Sequence, residues 1–245
     1  MIAHDPGDAC DLTDRRNWRT RSSAHILMGK TAVQVDAAPE FRLQCLWNDV
    51  RRVDHFILTH GHADHIMGMD DLRRFIDLRD GKALPVYGTE EGLDRVRAIY
   101  PYAIRARPEF KGYPAFVPEA MPSELPVDGG RIRSTLLPHG RIEVLGLLFE
   151  EEGSGRRLAY YTDCRELTEE AYRLADGADL LVLDALRPHP HPTHMTVDEA
   201  VATAKKVGAR RTFFTHMTFM VDHERANREL PEGMAFAYDG LRVRL

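Results

Sequence analysis

The stretch THGHADHIMG, residues 59–68, places three imidazoles and one carboxylate within residues 60–65. It continues the short apolar run DHFILT, residues 54–59, which predicts a buried strand. Gly61 allows the backbone to turn sharply and Ala63 is small, so the loop can direct its polar side chains at two nearby points. Imidazole and carboxylate donors suit zinc, manganese or iron(II), and the absence of thiolates from the loop leaves the choice among them open. The stretch therefore predicts part of a metal site.

Three further polar residues stand where other strands are predicted to end. His139, Asp163 and His216 each follow an apolar run that is typical of a strand. In layered α/β folds, binding sites are built at the ends of strands. A single histidine is more often an ordinary core or surface residue than a metal ligand. For the whole set, the alternative to a dedicated metal site is a cluster of surface histidines that binds metal adventitiously. That alternative would require potential metal ligands to follow four separate predicted strands by chance.

We predict that these residues together bind two divalent metal ions. His60, His62 and His139 are assigned to one ion, Asp64, His65 and His216 to the other, and Asp163 to a bridging position. Two cations about 3.5–4 Å apart lower the pKa of a shared water, so that a bridging hydroxide can act as nucleophile at neutral pH. Such a centre needs neither a serine nor a cysteine nucleophile.

Length and composition favour one domain spanning residues 1–245, with residues 1–24 forming an irregular polar arm. No apolar stretch is long enough for a membrane span, and the N-terminus lacks the order of a signal peptide. The three cysteines are too few for a disulfide scaffold, so we expect a soluble cytoplasmic protein. The formal net charge of -5 argues against a nucleic acid as the main partner and leaves a small anion possible.

The apolar pattern elsewhere predicts strands and helices in alternation. We predict a hairpin over 26–36, a helix after the histidine loop that ends before Gly81, a helix capped by Thr89, strands at 132–137, 143–149, 158–162, 179–184 and 211–215, and helices at 168–175 and 196–207. The proline-rich segment 101–126 is predicted to be a loop or lid. This order favours two packed sheets covered by helices on the outside.

Residues 59–68 resemble the His-x-His-x-Asp-His signature of the metallo-β-lactamase-fold hydrolases. Asp36 after an early strand, LPHG (137–140), YYTDC (160–164) and FTHM (214–217) match the other motifs of that family in order. The resemblance implies an α/β fold, a four-layer αββα sandwich with the metals in a cleft at one edge of the two sheets. It also implies that Asp36 orients a ligand histidine rather than binding metal.

A second histidine-rich stretch, PHPHPTHMT at 188–196, bears on the reaction. Thr196 and Glu199 have capping-box spacing, so His194 would precede a helix N-terminus, which favours a nearby phosphate. One interpretation is a proline-stiffened connector whose histidines face water. The other follows from a resemblance to the phosphodiesterase branch of the superfamily, where a histidine of such a loop donates a proton to the leaving oxygen. His194 matches best and His191 is the runner-up.

The segments RSSAHI (21–26), 167–187 and 186–200 are similar to bacterial phosphoribosyl 1,2-cyclic phosphate phosphodiesterases of the carbon–phosphorus lyase pathway. The resemblance implies hydrolysis of a small cyclic phosphodiester by a metal-bridging hydroxide, with two zinc or manganese ions as cofactors. Asp64 and His194 are the implied catalytic residues, and His194 protonates the departing ribose oxygen. The role of His189 stays open.

Three arginines lie beside the ligand motifs, namely Arg141, Arg165 and Arg187. Each is a candidate contact for a second phosphate of the substrate, although an ordinary surface or structural role is the commoner one for such an arginine. Relatives begin with an additional glycine-rich strand, so the resemblance implies an open sheet edge at the start of this chain. An open edge favours pairing with a second copy, a homodimer, or else indicates a start codon placed too late.

Two alternative functions remain. An RNA 3′-end-processing nuclease of the same fold would use the same metals and a similar histidine. It would need a basic, flexible arm, whereas residues 101–126 offer only Arg105, Arg107 and Lys111. The other alternative is a non-catalytic binding or carrier protein of a cofactor-biosynthesis cluster, against which the complete set of ligands argues.

Overall fold

The structure is a computed structural model that describes residues 10–245. The described chain divides into two compact units, a first unit of residues 21–131 and a second unit of residues 132–245 together with residues 10–20. Each unit has its own hydrophobic core. The expectation of one domain over residues 1–245 stays a prediction.

The predicted polar arm, residues 1–24, is described from residue 10 onwards, and residues 1–9 lie outside the described part. Its described portion contains a short 3-10 turn at Arg15–Asn17, and the first strand already begins at Ala24. Asp14 caps this turn by accepting a hydrogen bond from the backbone N–H of Arg16. The described part of the arm is also held by distant residues of the same unit, since Asn17 donates to the carboxylate of Asp222 at 3.0 Å and accepts the N–H of His223 at 2.8 Å.

Five strands of the first unit form one sheet in the order β1-β2-β3-β4-β5. They are β1 (Ala24–Met28), β2 (Thr31–Val35), β3 (His55–Ile57), β4 (Leu84–Gly88) and β5 (Phe116–Ala120). β1 pairs antiparallel with β2, which confirms the predicted hairpin, and the other neighbouring pairs are parallel. The carboxyl ends of β2, β3 and β4 therefore lie at the same edge of the sheet. β1 is an edge strand, and its pairing with a second copy stays a prediction.

The helices of the first unit are α1 (Phe41–Asn48), α2 (Ala63–Ile66), α3 (Arg73–Asp77) and α4 (Glu90–Ile99). The single helix predicted after the histidine loop is instead α2, a 3-10 turn at Met69–Leu72 and α3. The interruption falls at Gly68, whose N–H donates to the carbonyl of Ala37 at 2.8 Å rather than to a helical carbonyl. The cap of α4 is as predicted, since the Thr89 hydroxyl accepts from the N–H of Gly92.

The segment 101–126, predicted to be a loop or lid, contains β5 and the first residues of β6 (Glu124–Val127). The prediction was wrong from Phe116 onwards. Pro118 lies within β5, which is the last strand of its sheet. Because an edge strand needs hydrogen bonds on one side only, it tolerates a proline that a central strand would exclude.

The strands of the second unit lie in one sheet in the order β12-β11-β10-β9-β8-β7. They are β7 (Gly130–His139), β8 (Ile142–Glu151), β9 (Arg157–Tyr161), β10 (Leu180–Asp184), β11 (Arg211–Thr215) and β12 (Met234–Phe236), and the helices are α5 (Glu169–Ala175), α6 (Val197–Val207) and α7 (His223–Glu229). The strands and helices predicted from residue 132 onwards are confirmed. No helix in the described part of the chain is long and apolar enough to cross a lipid bilayer.

The parallel strands of the second unit bring polar residues to one edge. β9, β10, β11 and β12 run parallel, so that Asp163, Asp184 and His216 stand at neighbouring strand ends. Asp163 and His216 have positive φ, 54° and 64°, and so does Asp36 (57°) in the first unit. This conformation costs a non-glycine residue about 1–2 kcal/mol and is held by the surrounding structure. Strained backbone at these three strand ends marks them as candidate functional positions.

Candidate metal centre

The histidine loop of the first unit follows β3 and brings its four predicted ligands into one cluster. Nε2 of the buried His60 lies 2.9 Å from Nδ1 of the exposed His62. Oδ2 of Asp64 lies 3.5 Å from Nε2 of His65. The ring centroids of His60 and His65 are 4.3 Å apart. The spacing of these residues in the loop therefore brings their side chains close together, as expected.

Asp36 sets the protonation and orientation of two of these rings. Its carboxylate accepts hydrogen bonds from Nδ1 of His65 at 2.7 Å and from the hydroxyl of Thr59 at 2.8 Å. Because the Thr59 hydroxyl donates its hydrogen bond to Asp36, it accepts a hydrogen bond from Nδ1 of His60 at 3.1 Å. Both rings are thus protonated at Nδ1 and carry the lone pair on Nε2, the form in which a histidine binds metal.

Burial raises the pKa of Asp36, while His65 and the hydrogen bonds from Thr59 act in the opposite direction. Asp36 also accepts the backbone N–H of Thr59 at 2.8 Å. A carboxylate that accepts three hydrogen bonds is the form that matches these donors. The contact that the family resemblance implied for Asp36, with a ligand histidine, is present.

The second unit places His139, Asp163 and His216 in a second cluster. Nε2 of His216 lies 3.1 Å from Oδ2 of Asp163. Nδ1 of His139 donates to the carbonyl oxygen of Thr193 at 3.1 Å, since a carbonyl can only accept. The lone pair of His139 is therefore on Nε2. Potential ligand atoms of His139, Asp163 and His194 all lie within 4.8 Å of one another.

His194 is buried and is fixed by Asp184. Nδ1 of His194 lies 3.1 and 3.2 Å from the two carboxylate oxygens of Asp184, which also accepts the N–H of Met195 at 3.0 Å. The His194 ring stacks on that of His216, with centroids 4.8 Å apart and planes 14° apart. Burial raises the pKa of Asp184, and the hydrogen bond from His194 opposes the shift.

Sequence reasoning did not single out Asp184. The available signal was a carboxylate that ends the apolar strand LLVLD, residues 180–184, in the same way as Asp163 follows its own strand. Asp184 is fully buried, and Nδ1 of His216 lies 3.8 Å from it. It therefore contacts the candidate proton donor and lies close to a candidate metal ligand.

The other two histidines of the 188–196 stretch are placed differently. His189 is exposed, whereas His191 is half-buried and its Nδ1 lies 3.1 Å from the hydroxyl of Thr193. The ring centroids of His191 and His194 are 5.1 Å apart. Burial lowers the pKa of His191, and the neighbouring His194 and Arg187 lower it further. The predicted order, with His194 ahead of His191, agrees with the deeper burial of His194.

Two of the three candidate phosphate-binding arginines are engaged by the protein itself. Arg165 forms an ion pair with Glu199 at 2.7 Å. Arg187 donates to the carbonyls of His189 and Pro190 at 3.2 and 2.9 Å, which fastens the proline-rich stretch. Arg141 is exposed at the turn between β7 and β8.

The donor set fits hard or borderline divalent cations. The candidate ligands are imidazoles and carboxylates, and Cys164, although next to Asp163, is a buried thiol whose pKa is raised well above its usual value by burial. Zinc and manganese both accept such nitrogen and oxygen donors. The rings of His60, His65 and His139 have their tautomer fixed by hydrogen bonds at Nδ1, as metal-binding histidines require.

The family model for the beta-lactamase superfamily domain matches residues 31–217. The chain belongs to this family. A solved structure of a diphosphatase from the PhnP family has a TM-score of 0.85 and 32% sequence identity, over 98% of this chain and 92% of that one. The metallo-β-lactamase fold predicted from the sequence, a mixed α/β arrangement with two sheets and helices, is confirmed, and the protein is a member of a hydrolase fold family.

Curated relatives of this metallo-β-lactamase-fold protein carry different names. The octanoyltransferase of Porphyromonas gingivalis is 30% identical over 238 residues, 95% of this chain but only 46% of that protein. The chain thus spans about half the length of that relative. Coenzyme PQQ synthesis protein B of Methylobacterium sp. is 25% identical over 93% of this chain and 88% of its own. Ribonuclease Z of Bacillus velezensis is 24% identical over 69% of this chain and 71% of its own.

Proposed function

We propose that the protein is a metal-dependent phosphodiesterase that hydrolyses a small phosphorylated diester such as phosphoribosyl 1,2-cyclic phosphate. The observation that carries the proposal is the Asp184–His194 pair. A buried histidine held by a carboxylate beside candidate metal ligands suits a proton donor better than an additional metal ligand. The similarity to a diphosphatase of the PhnP family supports a substrate with phosphate–oxygen bonds.

The proposed metal site consists of His60, His62, Asp64, His65, His139, Asp163 and His216. When bound there, two divalent cations would lower the pKa of a shared water and neutralise charge on the phosphoryl oxygens. Asp36 holds His65 directly and His60 through Thr59, so the two imidazoles keep their metal-binding tautomer. These hydrogen bonds to Asp36 and Thr59 limit how far the two imidazoles must reorient when metal binds.

His194 supplies the acid. Its Nδ1–H is held by Asp184, so that the ring, when protonated, carries its other proton on Nε2. The carboxylate of Asp184 stabilises the imidazolium and fixes the plane of the ring. His194 then transfers the Nε2 proton to the departing oxygen of the substrate, which a poor leaving group such as a ribose hydroxyl requires.

The proposal is tested on purified protein reconstituted with Mn²⁺ or Zn²⁺. We expect about two equivalents of bound metal by inductively coupled plasma mass spectrometry, and hydrolysis of bis(p-nitrophenyl) phosphate and of phosphoribosyl 1,2-cyclic phosphate. Cleavage of a precursor tRNA 3′ end without cyclic phosphate hydrolysis would favour the nuclease alternative. Two equivalents of metal with no turnover of any of these compounds would favour the carrier alternative, in line with the PQQ synthesis protein B relatives.

A further inference from the structure

We propose that Arg95 binds a second, non-reacting phosphate group of the substrate and so makes the enzyme selective for phosphorylated diesters. The inference rests on the proposed function. It identifies which residue beside the candidate metal ligands recognises substrate, a role that the sequence motifs leave to Arg141, Arg165 or Arg187.

The side chain of Arg95 lies against the histidine loop. Arg95 is in α4, and a Cβ built on Gly61 would lie 2.7 Å from Cγ and 3.1 Å from Cβ of Arg95. Gly61 stands between the candidate ligands His60 and His62. The aliphatic part of Arg95 therefore covers the loop at the one residue that has no side chain, and the close approach of the helix requires that glycine.

Arg95 ends in a cation that the described part of the protein leaves uncompensated. No carboxylate among residues 10–245 lies within ion-pair distance of it, and the residue is exposed. Arg97, two positions further along the same helix, has two such partners, Asp94 at 2.8 Å and Glu90 at 3.8 Å. The helix thus neutralises one of its arginines and leaves the other available.

Covalent geometry limits the distance between this cation and the histidine loop. The carbon of the guanidinium is three bonds beyond Cγ, and Cγ touches the loop that carries His60 and His62. Arginine side chains commonly lay their methylene groups on a surface and keep the charged end in water. Because Arg95 is exposed and its Cγ touches the loop, its guanidinium can reach the solvent in front of the candidate ligands, where it can meet an incoming anion.

A phosphate monoester is the anion that this arrangement suits. The planar guanidinium binds two phosphate oxygens at once, and a charge-assisted pair is about twice as strong as a neutral hydrogen bond. Arg165 and Arg187 are engaged with Glu199 and with backbone carbonyls. Arg141 is exposed beside His139 and is the alternative contact that an experiment must separate from Arg95.

The test compares two substrates on the metal-loaded enzyme. One is 5-phosphoribosyl 1,2-cyclic phosphate, and the other is ribose 1,2-cyclic phosphate, which lacks the 5-phosphate. Arg95→Met keeps the methylene contact with Gly61 and removes the charge, and Arg95→Lys restores a charge without the planar fork. Arg97→Met is the matched control on the same helix, and Arg141→Met tests the alternative.

We expect Arg95→Met to raise KM for the phosphorylated substrate about tenfold or more, with little change in kcat, in metal content or in KM for the unphosphorylated substrate. Arg95→Lys should recover part of the loss, and Arg97→Met should match the wild type. Equal KM values for wild type and Arg95→Met, or an equal rise for both substrates, would overturn the inference, and a selective effect of Arg141→Met alone would transfer the role to that residue. Failure of the wild type to hydrolyse either substrate would instead refute the proposed function.

Discussion

Nδ1 of His194 lies 3.1 Å from Oδ1 of Asp184, so that a fully buried carboxylate holds the histidine from the side opposite to its Nε2. The two residues are ten positions apart, and the proline-rich stretch between them folds back to make the contact. Arg187 stabilises this return by donating to the carbonyls of His189 and Pro190. The position of the proposed proton donor thus depends on Asp184 and on the loop between them.

Asp184→Asn should lower kcat by about 10–100-fold, because an amide cannot stabilise the His194 imidazolium and presents an N–H as readily as an oxygen to the ring. The loss should be larger for a cyclic ribose phosphate than for bis(p-nitrophenyl) phosphate, whose nitrophenolate leaves without protonation. Metal content is measured in parallel, since Nδ1 of His216 lies 3.8 Å from Asp184. Equal losses on both substrates together with lost metal would assign Asp184 to the metal ligands instead.

His194→Ala should retain both metals and lose most activity on substrates with poor leaving groups, by about 10²–10⁴-fold, the usual contribution of a general acid. The measurement is kcat for a series of substituted aryl phosphodiesters, whose dependence on leaving-group pKa should become steeper. His191→Ala is the control, because His191 is less buried and its Nδ1 contacts the Thr193 hydroxyl. Unchanged rates in His194→Ala would place the donor elsewhere.

Asp163→Ala should reduce the metal content itself. Asp163 is buried, adopts a left-handed backbone with φ of 54°, and lies 3.1 Å from Nε2 of His216. A bridging carboxylate contacts both ions, so its loss should leave about one equivalent or less by mass spectrometry. Glu152→Ala, an exposed carboxylate in the turn after β8, is the control and should retain about two. A variant of Asp163 that kept both ions would refute the bridging assignment.

Much of the fold and of the candidate site follows from local sequence. Asp163 and His216 could be placed because each follows an apolar strand, and the histidine loop could be recognised from its spacing. Asp184 could not, since its importance lies in a contact with His194 that depends on how the proline-rich stretch folds. The helix α1 was missed for a different reason: Leu46 and Trp47 are 69% and 62% exposed, so its apolar residues do not follow one buried face.

Gly68→Ala should strongly destabilise the first unit. A Cβ at this position would lie 2.0 Å from the carbonyl oxygen of Ala38 and 2.7 Å from Cβ of Phe41. The backbone must move to admit this Cβ. We therefore expect the free energy of unfolding, measured in urea, to fall by about 3 kcal/mol. Gly153→Ala is the control, because nothing lies within 4 Å of a Cβ there. Similar midpoints for the two variants would show that the chain relaxes around Gly68 without cost.

Asp179 makes the second unit sensitive to acid. Its carboxylate accepts the backbone N–H of Arg157 at 3.0 Å and Nη1 of Arg156 at 2.8 Å. The hydrogen bond from the Arg157 N–H, followed by those from Arg156 and Arg210, holds the pKa of Asp179 below its usual value. A carboxylate whose pKa is lower in the folded state stabilises the protein above the unfolded value of about 3.9, and the stabilisation is lost as the pH falls through the folded pKa.

Asp179→Asn should therefore lower the free energy of unfolding by about 1 kcal/mol at pH 7, and the difference from the wild type should shrink below about pH 4. The measurement is urea unfolding of metal-free protein at pH 7 and at several values down to pH 3, so that loss of metal in acid does not contribute. Glu152→Gln, which removes an exposed carboxylate from a nearby turn, should show no such pH-dependent difference. A gap between Asp179→Asn and the wild type that stays constant across this range would mean that shape rather than charge at residue 179 stabilises the start of β10.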